Sequence, residues 1–265
     1  MKQLIFTCIL GALAVGAYAQ KDTTGTPADT SIRKKNFKVT LNMNGDGKST
    51  SQKPAKAPGF SWGVTFSRFD LGLATLVDNG SFTLSPKNDF LSYRSWKTSN
   101  VGFDVFQMGY RFTSSFKIYF SAGFDWTLIR LHNNITIQRD PDRSALHYTT
   151  DSINYSKNRF SSSYLRLPLS FEFRTKDDKD GNNWHFVFGP DAGILLNGRV
   201  KQISSENGKQ KFNYTYHYTH FRYGGFIRAG YNGFGIFAKY YVNDMFDTYA
   251  QKGLKNFSFG ITEGF

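Results

Sequence analysis

Cysteine is almost missing from this 265-residue chain: Cys8 is the only one, and it lies inside an N-terminal apolar run. The opening MKQLIFTCILGALAVGAYAQ places a positive Lys2 ahead of an apolar core from Leu4 to Val15, followed by a small-x-small site at Ala17-Tyr18-Ala19. That is the pattern of a secretory signal peptide over residues 1–19, with a core too short to span a membrane. Cys8 sits within the core and not at the cleavage point, so a lipoprotein anchor is not expected. From Gln20 onward there is no thiol to form a disulfide, bind zinc or act as a nucleophile.

Long apolar runs are missing too. Beyond the leader no stretch reaches 18 apolar residues, so no transmembrane helix is expected. Acidic residues are scarce, 20 against 33 basic ones, for a net charge of +13. That balance favours anionic partners such as phosphorylated lipid headgroups or acidic glycans. Export makes nucleic acid the least suitable of these, and no nucleic-acid partner is expected. What is abundant is aromatic: 27 Phe, 15 Tyr and 4 Trp, at a mean hydropathy of only −0.44. Strands that alternate apolar and polar residues give this combination, because alternation hides an apolar face from any window average.

Residues 20–58 form a polar, basic lead-in, expected to be a flexible linker. Within it NFKVTLNM (residues 36–43) alternates and fits a short extra strand. From Phe60 the period is two. FSWGVTF sets Phe60, Trp62, Val64 and Phe66 on one face. The same alternation runs through FKIYFSAGFDWTLIRL, YLRLPLSFEFR, WHFVFGPDAGILLN, FRYGGFIRAGY, FGIFAKYYVN and the closing KNFSFGITEGF. NVGFDVFQMGYRF changes parity midway, which predicts a bulge near Phe106 or an end outside the membrane. Together these make eight strands.

The spacers alternate long and short: residues 72–99, 113–115, 132–160, 175–183, 198–218, Asn232-Gly233 and 247–254. Asn-Gly between two alternating runs predicts a two-residue hairpin. Collecting the long spacers at one end is the layout of an outer-membrane barrel, with short periplasmic turns and long extracellular loops. With an even strand count, both termini fall on the periplasmic side. A closed barrel gives every backbone polar group a partner in lipid, where water supplies none. A lysine or arginine on the lipid face at mid-membrane would cost about 2–4 kcal/mol. Arg166, Arg222, Arg228 and Lys239 take the parity opposite the apolar set, so they point inward, where Asp125, Glu172 and Asp191 share their parity and can pair with them. Tyr119, Phe237 and Tyr241 fill the same interior.

No catalytic, cofactor-binding or metal-ligating residue is expected. GDGKST (45–50) resembles the end of a phosphate-binding loop, but Asn42 stands where its first glycine belongs and no helix follows. NMNGDG (42–47) resembles the start of a calcium loop whose twelfth position is Lys53 instead of glutamate. His217 and His220 in HYTH fall on opposite faces of an alternating segment with no acidic ligand beside them, and read as rim residues. RDPDRSALH and its neighbours supply His132, His147, Asp140, Asp142 and Asp151 in one long spacer, acid and base types with no fixed mutual geometry. SKNRF and scattered loop Lys and Arg suit contact with outer-leaflet phosphates.

Several longer stretches carry a family likeness: SRFDLGLATL, WKTSNVGFDVFQMGYRF with IYFSAGFDW, YSKNRFSSSYLRLPLSFEF, and FRYGGFIRAGYNGFGIFAKYYVNDMF with the closing FSFGI. Over about residues 60–265 the chain resembles outer-membrane β-barrel proteins of the PorT-like, porin-family type. A terminal Phe265 after such alternation also resembles the signal by which these barrels are recognised for assembly. The resemblance implies a Gram-negative cell outer membrane and no catalytic motif, and those members named for PorT are linked to protein secretion.

The expectation is therefore an all-β chain: an eight-stranded antiparallel transmembrane β-barrel over 59–265, monomeric, with a structural or interaction role. Its expected partners are outer-membrane lipid, including lipopolysaccharide phosphates, and secretion or envelope proteins. An accessory of a secretion or assembly machine is the alternative, ahead of a small-solute channel or an outer-membrane hydrolase or acyltransferase. Eight strands enclose only enough room for side chains, which disfavours a general porin.

Overall fold

The computed structural model describes residues 58–64 and 68–264. The expected signal peptide, nearly all of the expected lead-in with NFKVTLNM, GDGKST and the calcium-loop-like segment, and Phe265 lie outside the described residues. No described helix is long and apolar enough to cross a membrane, which says nothing of a β-barrel.

Twelve strands are present: β1 (Gly59–Val64), β2 (Phe69–Asp78), β3 (Ser99–Arg111), β4 (Phe116–Arg130), β5 (Ile135–Ile137), β6 (Tyr148–Thr150), β7 (Lys157–Arg174), β8 (Trp184–Ser204), β9 (Gly208–Tyr214), β10 (Phe221–Tyr231), β11 (Phe234–Tyr241) and β12 (Leu254–Glu263). Eight of them close a ring by antiparallel pairing: β3, β2, β12, β11, β10, β8, β7, β4 and back to β3. β1 lies along the lower half of β3 and β2 along its upper half, so both flank the same strand. Closing the ring leaves no exposed sheet edge around it, the condition that lipid imposes on backbone N–H and C=O groups.

Pairing register places the ends. Glu263 lies opposite both Phe234 and Phe69, so β12 finishes at the end that holds the turn 232–233. The turns 112–115 and 175–183 are at that end as well. Asn232 and Gly233 both take positive φ, 49° and 86°, the twist that suits a tight hairpin and that Asn and Gly tolerate. The other end carries segments 79–98, 131–156, 205–220 and 242–253.

Some strand bounds differ from those expected. The first run does not stop at Phe66: alternation resumes at Phe69 and continues to Asp78, inside the spacer expected over 72–99. β7 starts at Lys157 and β8 reaches Ser204, taking residues expected in the spacers 132–160 and 198–218. The reason is physical: above the lipid-facing belt an outward residue has no cause to be apolar, so the hydropathy signal fades while the strand continues. The parity change in β3 is a bulge, with register shifting between Asp104 and Phe106.

The two faces of the wall are opposite in character. Phe186, Phe188, Ile194, Leu196, Ile227, Ile236 and Ile261 are exposed on the outside. Near the short-turn end aromatic rings form a chain across neighbouring strands: Phe112–Phe116, Phe116–Phe173, Phe173–Phe188 and Trp184–Tyr231 have centroids 4.8–6.0 Å apart. An apolar band edged by an aromatic girdle is stable in a bilayer, and in water it would expose a large apolar surface.

The long segments are not loose loops. They fold over their end of the ring and pack into one apolar core containing Leu91, Leu131, Ile135, Ile137, Leu146 and Met245, together with wall residues Leu76, Ile129 and Val200. Phe160, fully buried, lies 4.8 Å from the Tyr218 ring and 5.9 Å from that of Phe246. Each such buried side chain contributes about 1.5–3 kcal/mol. Polar side chains fasten the cap: Asn158 Nδ2 donates to the Ile135 carbonyl at 2.7 Å, and the Leu146 N–H donates to Gln251 Oε1 at 2.9 Å.

Candidate functional site

Below this apolar cap, the interior of the ring is charged. Period-two strand geometry turns every second residue inward, and on β2, β3, β4, β7, β8, β10 and β11 several of those residues are ionisable. Arg68, Arg166, Arg222, Arg228 and Lys239 meet Asp70, Asp104, Asp125 and Asp191, all buried. Five cations thus face four carboxylates in a space closed to solvent by the wall.

Asp70 is one hub. Its carboxylate accepts hydrogen bonds from Arg166 Nη1 at 2.7 Å, Arg228 Nη2 at 2.8 Å and Thr262 Oγ1 at 2.7 Å, and Lys239 Nζ lies 3.5 Å away. Asp125 is the other, accepting from Arg222 Nη2 at 2.6 Å, Lys239 Nζ at 2.7 Å and Asn100 Nδ2 at 3.1 Å. Lys239 therefore bridges the two hubs. Arg166 reaches Asp104 as well, 3.0 Å from its Nη2, and Arg68 approaches Asp104 at 3.6 Å. Bonds between charged partners are the strong kind, and guanidinium groups supply several donors in a fixed fork.

Aromatic rings hold the same cations. The Arg222 guanidinium lies between Tyr164 and Tyr241, 3.9 and 4.1 Å from their centroids, and Tyr241 donates its hydroxyl to Asp191 at 3.0 Å. Arg228 covers Phe226 and Lys239 covers Phe237. Gly102 leaves the necessary gap between the hubs: a Cβ there would lie 2.8 Å from Arg166 Nη1 and 3.0 Å from Asp125 Oδ2. Nearer the short turns, Glu172 accepts from Arg174 Nε at 2.7 Å and contacts His185 Nδ1 at 3.2 Å. Between network and cap, a cavity of about 20 Å³ is lined by Thr127, Ser162, Tyr164 and Arg222, space for about one water.

The inward placement of Arg166, Arg222, Arg228, Lys239, Asp125, Glu172 and Asp191 follows the parity read from the sequence, as does that of Tyr119, Phe237 and Tyr241. Asp70, Asp104 and Arg68 were not anticipated. Their signal is nevertheless present: Asp70 alternates with Phe69 and Leu71, and Asp104 with Phe103 and Val105.

The acid and base groups of the long segments are dispersed. His147 Nε2 lies 3.4 Å from Asp142 Oδ2, and Ser144 Oγ donates to the same oxygen at 2.5 Å, so base and hydroxyl both lie against the carboxylate and not against each other. Ser144 holds Asp142 below the usual carboxylate range through its hydroxyl and its backbone N–H. Asp151 accepts from Thr136 Oγ1 and Tyr155, Asp140 from the Asp142 N–H, and His132 is exposed. His217 and His220 line an open cleft of about 190 Å³ with Arg143 and Asp247, and His217 Nε2 lies 2.6 Å from the Asp140 carbonyl oxygen. Among the described residues no group of three or more His, Cys, Asp or Glu is placed to hold a metal. On the short-turn side, the Tyr231 hydroxyl donates to Asp178, and with backbone N–H donors it holds that carboxyl low.

Removing one partner from a buried charge cluster leaves the others uncompensated, at about 3–5 kcal/mol. Asp125→Asn, which strips the charge facing Arg222 and Lys239, is expected to destabilise the barrel by that amount in denaturant unfolding followed by tryptophan fluorescence. A loss below about 1 kcal/mol, the size of an ordinary substitution, would show that the cluster does not hold the wall.

Comparison with known proteins is consistent with this architecture. Among curated proteins none matches the chain. The family model of the outer membrane protein beta-barrel domain matches residues 59–247, most of the chain and seven of the eight ring strands. With its closed ring, apolar outer band and charged interior, the chain belongs to that family and is an outer-membrane β-barrel protein.

Proposed function

We propose that the protein is a closed, monomeric, eight-stranded transmembrane barrel of a Gram-negative outer membrane, with a structural or interaction role and neither catalysis nor conduction. Its short turns face the periplasm and its long segments the outside, following export by the leader at 1–19. The observation that carries this reading is the filled interior: the Asp70–Arg166–Lys239–Asp125 network across the lumen, with an apolar core above it. An open channel needs roughly twice as many strands. Buried, mutually bonded charges are also unsuited to binding and releasing passing ions.

Planar-bilayer conductance of the protein purified from outer membranes tests the proposal. Slower gel mobility after boiling than before first establishes that the barrel is folded. A folded barrel that gives no stable conductance steps is the expected result, and steady, well-defined steps would make transport the function instead.

A second reading, accessory to a secretion or assembly machine, is favoured by the PorT-like resemblance and by the lead-in, where eight Lys or Arg stand against three Asp over residues 20–58. A basic periplasmic arm suits docking to an acidic partner surface. Deleting 20–58 behind an intact leader is expected, on this reading, to abolish secretion while the unboiled mobility of the barrel persists. Unchanged secretion would reject it.

A further inference from the structure

A second set of charges lies on the outside of the wall and is not paired. Strand register sets Arg130 of β4 opposite Arg159 of β7, Arg159 opposite Lys201 of β8, and Lys201 opposite Lys211 of β9. Arg94 joins the row from the preceding segment, its N–H donating to the Arg130 carbonyl at 2.8 Å. Lys157 and Lys209 stand one outward position further from the membrane, on either side of Ile203. Every one of these side chains is at least partly exposed. The ion pairs formed among the described residues all involve other groups. Arg159 Nε is moreover buried with no hydrogen-bond partner.

Like charges directly opposite on neighbouring strands are destabilising, and Arg130 and Arg159 are on interior strands, where protection of a sheet edge is not at issue. The row spans about 14 Å across four strands at about 4.8 Å each. It stands about 7 Å above Leu128, two residues down β4, where the outward apolar belt of Leu128, Trp126 and Phe124 begins. Beside the row, β10 presents Phe221 and Tyr223 at its loop end, and across the ring β12 carries an outward lysine, Lys255, opposite Val77 of β2. The cations of β4, β7, β8 and β9 thus form one continuous patch at headgroup height.

We propose that this row is a binding surface for the phosphate groups of a phosphorylated outer-leaflet glycolipid, whose acyl chains lie along the apolar belt below it. The inference rests on the outer-membrane barrel reading and its sidedness. Arginine forks and lysine ammonium groups at this spacing offer donors to more than one phosphate at once. Bound phosphate would relieve the repulsion along the row.

The test uses the protein purified in detergent, its fold established by mobility before and after boiling, and titrated with bisphosphorylated lipid A, dephosphorylated lipid A and inorganic phosphate. The expected result is binding of the bisphosphorylated lipid that dephosphorylation abolishes. The triple variant Arg130→Gln, Arg159→Gln, Lys201→Gln should bind it about a hundredfold more weakly, yet unfold no sooner than the parent in lipid-free micelles. Equal affinity for the dephosphorylated lipid would overturn the proposal with the parent protein alone. So would an unchanged affinity in the triple variant, or inorganic phosphate binding as tightly as the lipid. Absence of any mobility difference on boiling would instead overturn the barrel reading, and the inference with it.

Discussion

Pairing of buried charges inside a closed ring is the constraint on which the rest of this structure depends. Eight strands leave an interior only about as wide as the side chains that fill it, and an unpaired charge there is costly. Asp70 and Asp125 answer that constraint from strands that are distant in sequence from their partners. Asp70 on β2 takes Arg166 from β7 and Arg228 from β10, while Asp125 on β4 takes Arg222 from β10 and Lys239 from β11. Each bond therefore crosses the lumen and holds opposite walls together. Such a cluster is weak evidence of net stability but strong evidence of register, since a one-residue slip of any strand would move its charge to the lipid face.

Above the charged region, the cap answers a different requirement. Long segments emerging from a ring this narrow have apolar residues that neither lipid nor the charged lumen can bury. Phe160, Tyr218 and Phe246 bury one another, and β5 with β6 brings Ile135 and Ile137 into the same core. The protein thus has a lipid-facing apolar band, a polar axis beneath a dry lid, and an outer rim with a continuous row of cations along β4, β7, β8 and β9. The interior accounts for closure, and the rim is the surface left for partners.

Much of the wall was legible in the sequence because a period of two translates directly into inside and outside. Arg166, Arg222, Arg228 and Lys239 could be turned inward from parity alone, and the parity change in NVGFDVFQMGYRF located the bulge at Asp104/Phe106. Legibility ended where hydropathy ceased to report geometry. Lys157, Arg159 and Lys201 stand on regular strands, but above the belt their outward neighbours are polar, so the segments read as loop. Asp70 was lost because the apolar parity changes between Phe66 and Phe69, which hid the continuation of the first run. The cap was not legible for another reason: its residues are far apart in sequence, and no local pattern says that Leu131, Leu146 and Met245 meet.

Filled by the charge network and covered by the apolar cap, the lumen is closed to water. From Gln20 onward the chain contains no cysteine, so a single thiol introduced into the barrel reports its own surroundings. Ser170→Cys and Thr127→Cys, at buried inward positions of β7 and β4, should resist a water-soluble maleimide in the folded barrel and react only after boiling. Rapid labelling of either position in the folded protein would mean that water runs through the ring, and the account of a charged plug beneath an apolar lid would be wrong.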